Sequence, residues 1–70
     1  MFSEKKNFSP VYTPDRVRAA RAAAGHTQSE AAALIYRTRR AWQDWESGAR
    51  NVDPAAFELY LIKTGQLVVV

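Results

Sequence analysis

A chain of 70 residues makes one domain at most, and one this short buries only roughly 60% of the surface it exposes when unfolded, so its core must be well packed or shared with a second copy. The absence of cysteine excludes disulfides and thiolate metal sites, and no apolar run approaches the ~20 residues a membrane span needs. Ten Lys and Arg against seven Asp and Glu give a net charge of +3, too mild a bias to identify a partner.

In chain order, residues 1–12 carry Ser, Asn, Pro and two lysines with no helical period and read as an N-terminal arm. Met1–Pro10 lacks the apolar stretch of a signal peptide, which makes a cytoplasmic protein the expectation. Thr13 as N-cap, Pro14 at the first helical position and Asp15 in the first turn announce the first helix. Tyr12 and Val17 are placed to staple its entry, and Gly25 to end it after Ala24. Val17, Ala20, Arg21 and Ala24 share one face.

Thr27 opens a second helix, and Glu30 three residues on completes a capping box. Ala31, Leu34 and Ile35 form its inner stripe, and its many alanines permit close helix approach. The helix stops near Ile35, Tyr36 and Arg37 make a tight connection, and Thr38 caps a third helix running to about Ser47. Trp42 and Trp45 point one way, while Arg39, Arg40, Gln43 and Asp44 lie on the other side; Gly48 ends the helix. After an Ala49–Val52 loop, Asp53-Pro54 repeats the cap-plus-proline start, with Val52 and Phe57 as staple pair. The fourth helix runs to about Thr64 with Phe57, Tyr60, Leu61 and Thr64 inward, and Gly65 closes it. Residues 66–70 form an apolar C-terminal tail in which Leu67–Val70 reads as a short strand. The predicted fold is all-α: four helices over residues 13–65, with a strand-like tail.

Enzymatic readings fail on inventory. The single histidine, His26, precedes a helix cap and reads as a surface residue. The carboxylates are scattered among arginines, where caps and ion pairs are their roles, and neither a Gly-rich phosphate loop nor a metal-spaced cluster exists. No catalytic residue, cofactor, metal or small-molecule substrate is expected. Arg37, Arg39, Arg40 and Arg50, by contrast, fall within fourteen residues, a footprint suited either to phosphate binding or to a solvated helix face.

The stretch Thr27–Gly48 is the informative one. Its first helix opens with free backbone N–H groups beside Gln28, an arrangement that attracts anions. Its second helix begins Arg39-Arg40, whose planar forks match the acceptors of guanine in the major groove. Thr27-Gln28-Ser29-Glu30-Ala31-Ala32-Ala33-Leu34-Ile35 followed by Thr38-Arg39-Arg40-Ala41-Trp42-Gln43-Asp44-Trp45-Glu46-Ser47-Gly48 resembles the helix-turn-helix of the Cro/C1-type (XRE) transcriptional repressors. The likeness covers about Val17–Gly65 and rests on T-Q near the start, alanine at the fifth residue of the second helix and W-E-x-G at the end.

The resemblance implies a lambda-repressor-like domain, phage- or prokaryote-encoded, that binds a double-stranded DNA operator as a homodimer. Thr38–Ser47 would be the recognition helix, with base contacts from Arg39, Arg40, Gln43 and Asp44. Asp44 would either accept from cytosine or steer the arginines. Phosphate contacts would come from Thr27, Gln28, Arg37, Thr38, Arg50 and Asn51, and Arg21 with Glu46 would form a buried structural ion pair. The sequence departs from the pattern at Tyr36, where the family has a turn glycine, and at Arg37, where it has a buried apolar residue. An L-residue in the left-handed region costs about 1–2 kcal/mol, which predicts a reshaped turn. Either the turn is rotated or Arg37 snorkels out beside Trp42.

The competing reading is a protein-binding module or antitoxin-like regulator that uses the same face for a protein partner. Exposed apolar or aromatic residues would be expected there instead of arginines. RNA binding is the weaker third reading, because A-form duplexes hide their major groove.

Overall fold

Every helix starts on a side-chain cap that the sequence supplies. In the computed structural model, which describes residues 11–68, the helices are α1 (Pro14–Ala24), α2 (Gln28–Leu34), α3 (Arg39–Ser47) and α4 (Pro54–Lys63). Thr13 Oγ1 accepts from the amide of Arg16 and Thr38 Oγ1 from that of Ala41, both at 3.1 Å. Asp53 Oδ1 accepts from Ala55 N–H at 3.1 Å. At α2 the capping box is reciprocal: Thr27 Oγ1 takes the Glu30 amide at 3.1 Å, and Glu30 Oε1 takes the Thr27 amide at 2.8 Å. Each satisfies a donor that the helix itself leaves orphaned.

Among the described residues the only regular elements are these helices, and α2, its connection and α3 form a helix-turn-helix. α3 packs on both α1 and α2, and α2 also touches α4. The core comprises Val17, Ala20, Ala31, Ala32, Ile35, Trp42, Trp45, Phe57, Tyr60 and Leu61. Trp42 is its centre, with ring centroids 4.7 Å from Tyr60, 5.5 Å from Trp45 and 6.4 Å from Phe57. Such tilted and edge-on pairs add to the area that the rings bury. Ala31 and Ala32 are both buried, and their small side chains let α2 lie close to its neighbours.

The turn is not reshaped. Tyr36 adopts φ 61°, so its backbone takes the left-handed conformation that glycine adopts most easily. Tyr36 N–H donates to Ala33 C=O at 3.1 Å and Arg37 N–H to Ala32 C=O at 2.9 Å, the paired bonds that close a helix through a left-handed residue. The strain is offset from α4. Lys63 Nζ lies 4.4 Å from the Tyr36 ring centroid and donates to Leu34 C=O at 2.9 Å, capping α2. Arg37 does leave for solvent, but over Trp45 (5.9 Å) and not Trp42, and its Nη2 donates to Asp53 Oδ2 at 2.7 Å.

Three expectations need correction. Tyr12 belongs to the domain and not to an arm: its ring meets Phe57 edge-on at 4.7 Å, and its hydroxyl donates to Glu58 at 2.8 Å. The remainder of the expected arm, residues 1–10, lies outside the described residues. His26 is half-buried, its Nδ1 2.9 Å from the Tyr60 hydroxyl, because the glycine turn that ends α1 folds it back onto α4. The tail contains no strand among the described residues. Gly65 at φ 75° reverses the chain, and the amides of Gln66 and Leu67 both bond to Leu61 C=O, at 2.7 and 3.2 Å. Those two donors are spent closing α4 and are not offered to a neighbouring strand; Val69 and Val70 lie outside the described residues. Among the described residues no helix is long and apolar enough to cross a membrane.

Candidate nucleic-acid interface

The exposed side of α3 is built from behind. Trp42, Trp45 and Glu46 are buried on its inner side, so the helix cannot rotate without breaking the core. Glu46 is the pivot of that side, 6% exposed. It accepts from Arg21 Nε at 2.6 Å, Arg21 Nη2 at 3.0 Å, Trp42 Nε1 at 2.5 Å and Gln28 Nε2 at 3.2 Å. Burial would raise the Glu46 carboxyl, but hydrogen bonds from Arg21, Trp42 and Gln28 outweigh it and hold the group below the usual carboxylate range. Arg21 rises above its ordinary value, first through its bond to Glu46. Arg21 Nη1 also donates to His26 C=O at 3.2 Å, so one ion pair ties α1, α3 and the α1–α2 connection together.

On the outer side Arg39, Arg40 and Gln43 are exposed. Arg39 makes no ion pair among the described residues. Arg40 Nε lies 3.2 Å from Asp44 Oδ1, and Arg50 Nε 3.8 Å from Asp44 Oδ2. Arg50 N–H donates to Asp44 C=O at 3.2 Å, which registers the loop after α3 against the helix. Asn51 is exposed in the same loop. Arg39, Arg40, Gln43, Arg50 and Asn51 are thus solvent-facing residues of α3 and the loop that follows it.

The remaining sequence-selected residues are committed elsewhere. Thr27 spends both its amide and its hydroxyl lone pair in the capping box, whose Glu30 places a carboxylate at that helix end. The Thr27 amide holds the Glu30 carboxyl below its ordinary range. The Gln28 side chain turns inward to Glu46. Thr38 caps α3, and Arg37 is paired with Asp53. At the start of α2, expected to offer free donors to an anion, the Glu30 amide is taken by Thr27 and the Glu30 carboxylate sits at the same helix end, bonded to the Thr27 amide.

Sequence reasoning missed Arg18. Its Nη1 donates to Glu46 C=O at 2.5 Å, capping the end of α3, and its Nη2 pairs with Asp15. The position is one turn before Arg21 on the same helix side, a spacing visible in the sequence once Arg21 is placed. Lys63 was also missed, and only the fold brings it to Tyr36.

Among the described residues there is no group of three or more His, Cys, Asp or Glu able to hold a metal. No protein-family model matches the chain and no curated protein matches it.

Proposed function

We propose that this chain is a sequence-specific double-stranded DNA-binding regulator, most simply a transcriptional repressor of a prokaryotic or phage operon, with α3 as its major-groove helix. One observation carries the reading. The second helix of a helix-turn-helix is fixed by two buried tryptophans and an ion pair whose carboxylate is buried, while it presents Arg39, Arg40 and Gln43 outward from its first turns.

A rigid support with bidentate donors at its tip suits the reading of base edges. Arg50 and Asn51 flank the helix where a phosphate backbone would run. The protein-partner alternative is less well supported, because the outer side of α3 carries no exposed large apolar residue; those of the described chain are Val11, Tyr36, Ile62, Leu67 and Val68. Two copies would place their helices in successive major grooves, so the operator would be an inverted repeat with half-sites about 10–10.5 bp apart.

Selection of bound duplexes from random DNA tests this. An enriched inverted repeat supports a dimeric repressor, and a single enriched half-site supports a monomeric reader. No enrichment over input refutes DNA recognition and leaves the protein-partner reading in its place.

A further inference from the structure

Asp44 sits between the two arginines that flank the exposed side of α3. Its side chain is 16% exposed, whereas those of Arg40 and Arg50 are 80% and 73% exposed. The carboxylate therefore lies beneath the guanidinium groups, with one oxygen assigned to each. In both pairs the closest approach is through Nε, at 3.2 and 3.8 Å, and among the described residues no terminal amino group of either arginine hydrogen-bonds to Asp44. Those amino groups are the fork that pairs with guanine acceptors or with phosphate oxygens. The backbone carbonyl of Asp44 also receives the Arg50 amide and the Ser47 hydroxyl, at 3.2 and 3.3 Å. One residue thus sets the position of a helix arginine and a loop arginine together.

We propose that Asp44 is a positioning residue that sets sequence discrimination, holding Arg40 and Arg50 in register and opposing indiscriminate phosphate contact. This rests on the DNA-binding reading above. A carboxylate beneath two cations neutralises much of their long-range attraction for a polyanion. Only a duplex that offers acceptors in the held geometry recovers the interaction. Without the carboxylate both arginines are free to follow any phosphate, so affinity for random DNA rises while preference for the correct site falls. Direct acceptance from a cytosine is the less favoured role, because both carboxylate oxygens already face arginines and the group is recessed.

The test compares wild type, Asp44→Asn, Asp44→Ser and Asp44→Glu on the duplex selected by the wild type and on a scrambled duplex, across a salt series. Thermal melts by circular dichroism are recorded for each. With two neutral replacements, a folding defect in one leaves the other to decide. In Asp44→Asn and Asp44→Ser the scrambled duplex should bind several-fold tighter, with a salt slope steeper by about one counterion. The ratio of selected to scrambled affinity should fall about tenfold, within the range of one bidentate base contact. Asp44→Glu keeps the charge and should restore most of that ratio. A ratio within twofold of wild type in the neutral variants overturns the proposal, as does equal weakening on both duplexes. Loss on the selected duplex alone marks a direct base contact and also overturns it. A wild-type protein that binds neither duplex refutes the DNA-binding reading itself, and this inference falls with it.

Discussion

Arg21 on α1 and Glu46 at the end of α3 meet through two parallel hydrogen bonds of 2.6 and 3.0 Å, beneath the helix that presents Arg39 and Arg40. The pair places charge inside a very small core, where a lone carboxylate would be costly. Four donors reach Glu46 from Arg21, Trp42 and Gln28. What holds α3 at its angle is therefore this network together with the tryptophans.

Arg21→Ala leaves the nearly buried Glu46 carboxylate without its cation and should lower the unfolding free energy by about 3–5 kcal/mol. Glu46→Ala leaves an arginine that is one quarter exposed and still bonded to His26 C=O, and a buried Trp42 N–H without its acceptor, so it should cost less, about 1–3 kcal/mol. A domain of this size has roughly 3–10 kcal/mol in total, so Arg21→Ala should be substantially unfolded at 25 °C or melt far earlier than wild type, and Glu46→Ala should melt earlier by a smaller margin. Urea titration followed by circular dichroism measures this, and losses below about 1 kcal/mol in both variants would remove the pair from its structural role.

Acid should act through the same carboxylate. Glu46 titrates lower in the folded chain than in the unfolded one. Its contribution is therefore fully present above the unfolded value, about 4.3, and is lost as pH falls through the folded value. Stability should be level with respect to this group from pH 7 to about 5, then decline below about 4. In Glu46→Gln, which does not titrate, the wild-type minus variant difference should shrink on acidification. A difference constant from pH 7 to 3 would contradict the assignment.

Tyr36 offers a test of backbone strain. At φ 61° any L-residue is strained, whereas glycine is not. Tyr36→Ala keeps the strain and loses the contact with Lys63, so it should be less stable than wild type. Tyr36→Gly relieves the strain and should exceed Tyr36→Ala by about 1 kcal/mol in denaturant titration. Alanine matching or exceeding glycine would mean that the turn can relax out of the left-handed region.

The helices were legible because their boundaries are chemical and local. Thr13, Thr27, Thr38 and Asp53 can cap with their own side chains, and each does. The inward stripe of Val17, Ala20, Trp42, Trp45, Phe57 and Tyr60 followed from helical period alone. What escaped depended on distant partners. His26 looked like a surface residue because Tyr60, 34 positions on, is invisible at short range. The Leu67–Val70 run has strand-like composition, but after the turn at Gly65 the amides of Gln66 and Leu67 fold back to Leu61 C=O. Tyr36 had a local signature of strain, yet its compensation by Lys63 lies 27 positions away. Arg39, Arg40 and Gln43 were readable from period as outward residues of α3, whereas the recessed position of Asp44 and the inward turn of Gln28 to Glu46 were not.

The contacts on the outer side of α3 should divide by behaviour. Arg39→Ala and Arg40→Ala should each cost about 1–3 kcal/mol on the selected duplex and broaden its sequence preference. Arg50→Ala should weaken binding with little change in which sequences are preferred, and lessen the salt slope by less than about one counterion because Asp44 already offsets part of its charge. Gln28→Ala should act chiefly on stability, since its side chain is bonded to Glu46. Its melting temperature should fall while the affinity of the folded fraction changes little. Uniform effects from all four variants would argue against a distinct base-reading edge.

The most direct measurement is a fluorescence-anisotropy titration of the wild-type chain against the selected duplex and a scrambled one, at salt between about 50 and 200 mM. Recognition by α3 predicts tighter binding to the selected duplex by a factor on the order of 10³, with affinity for both falling steeply as salt rises. Equal affinity for the two, or no binding to either at about 100 mM salt, would contradict it.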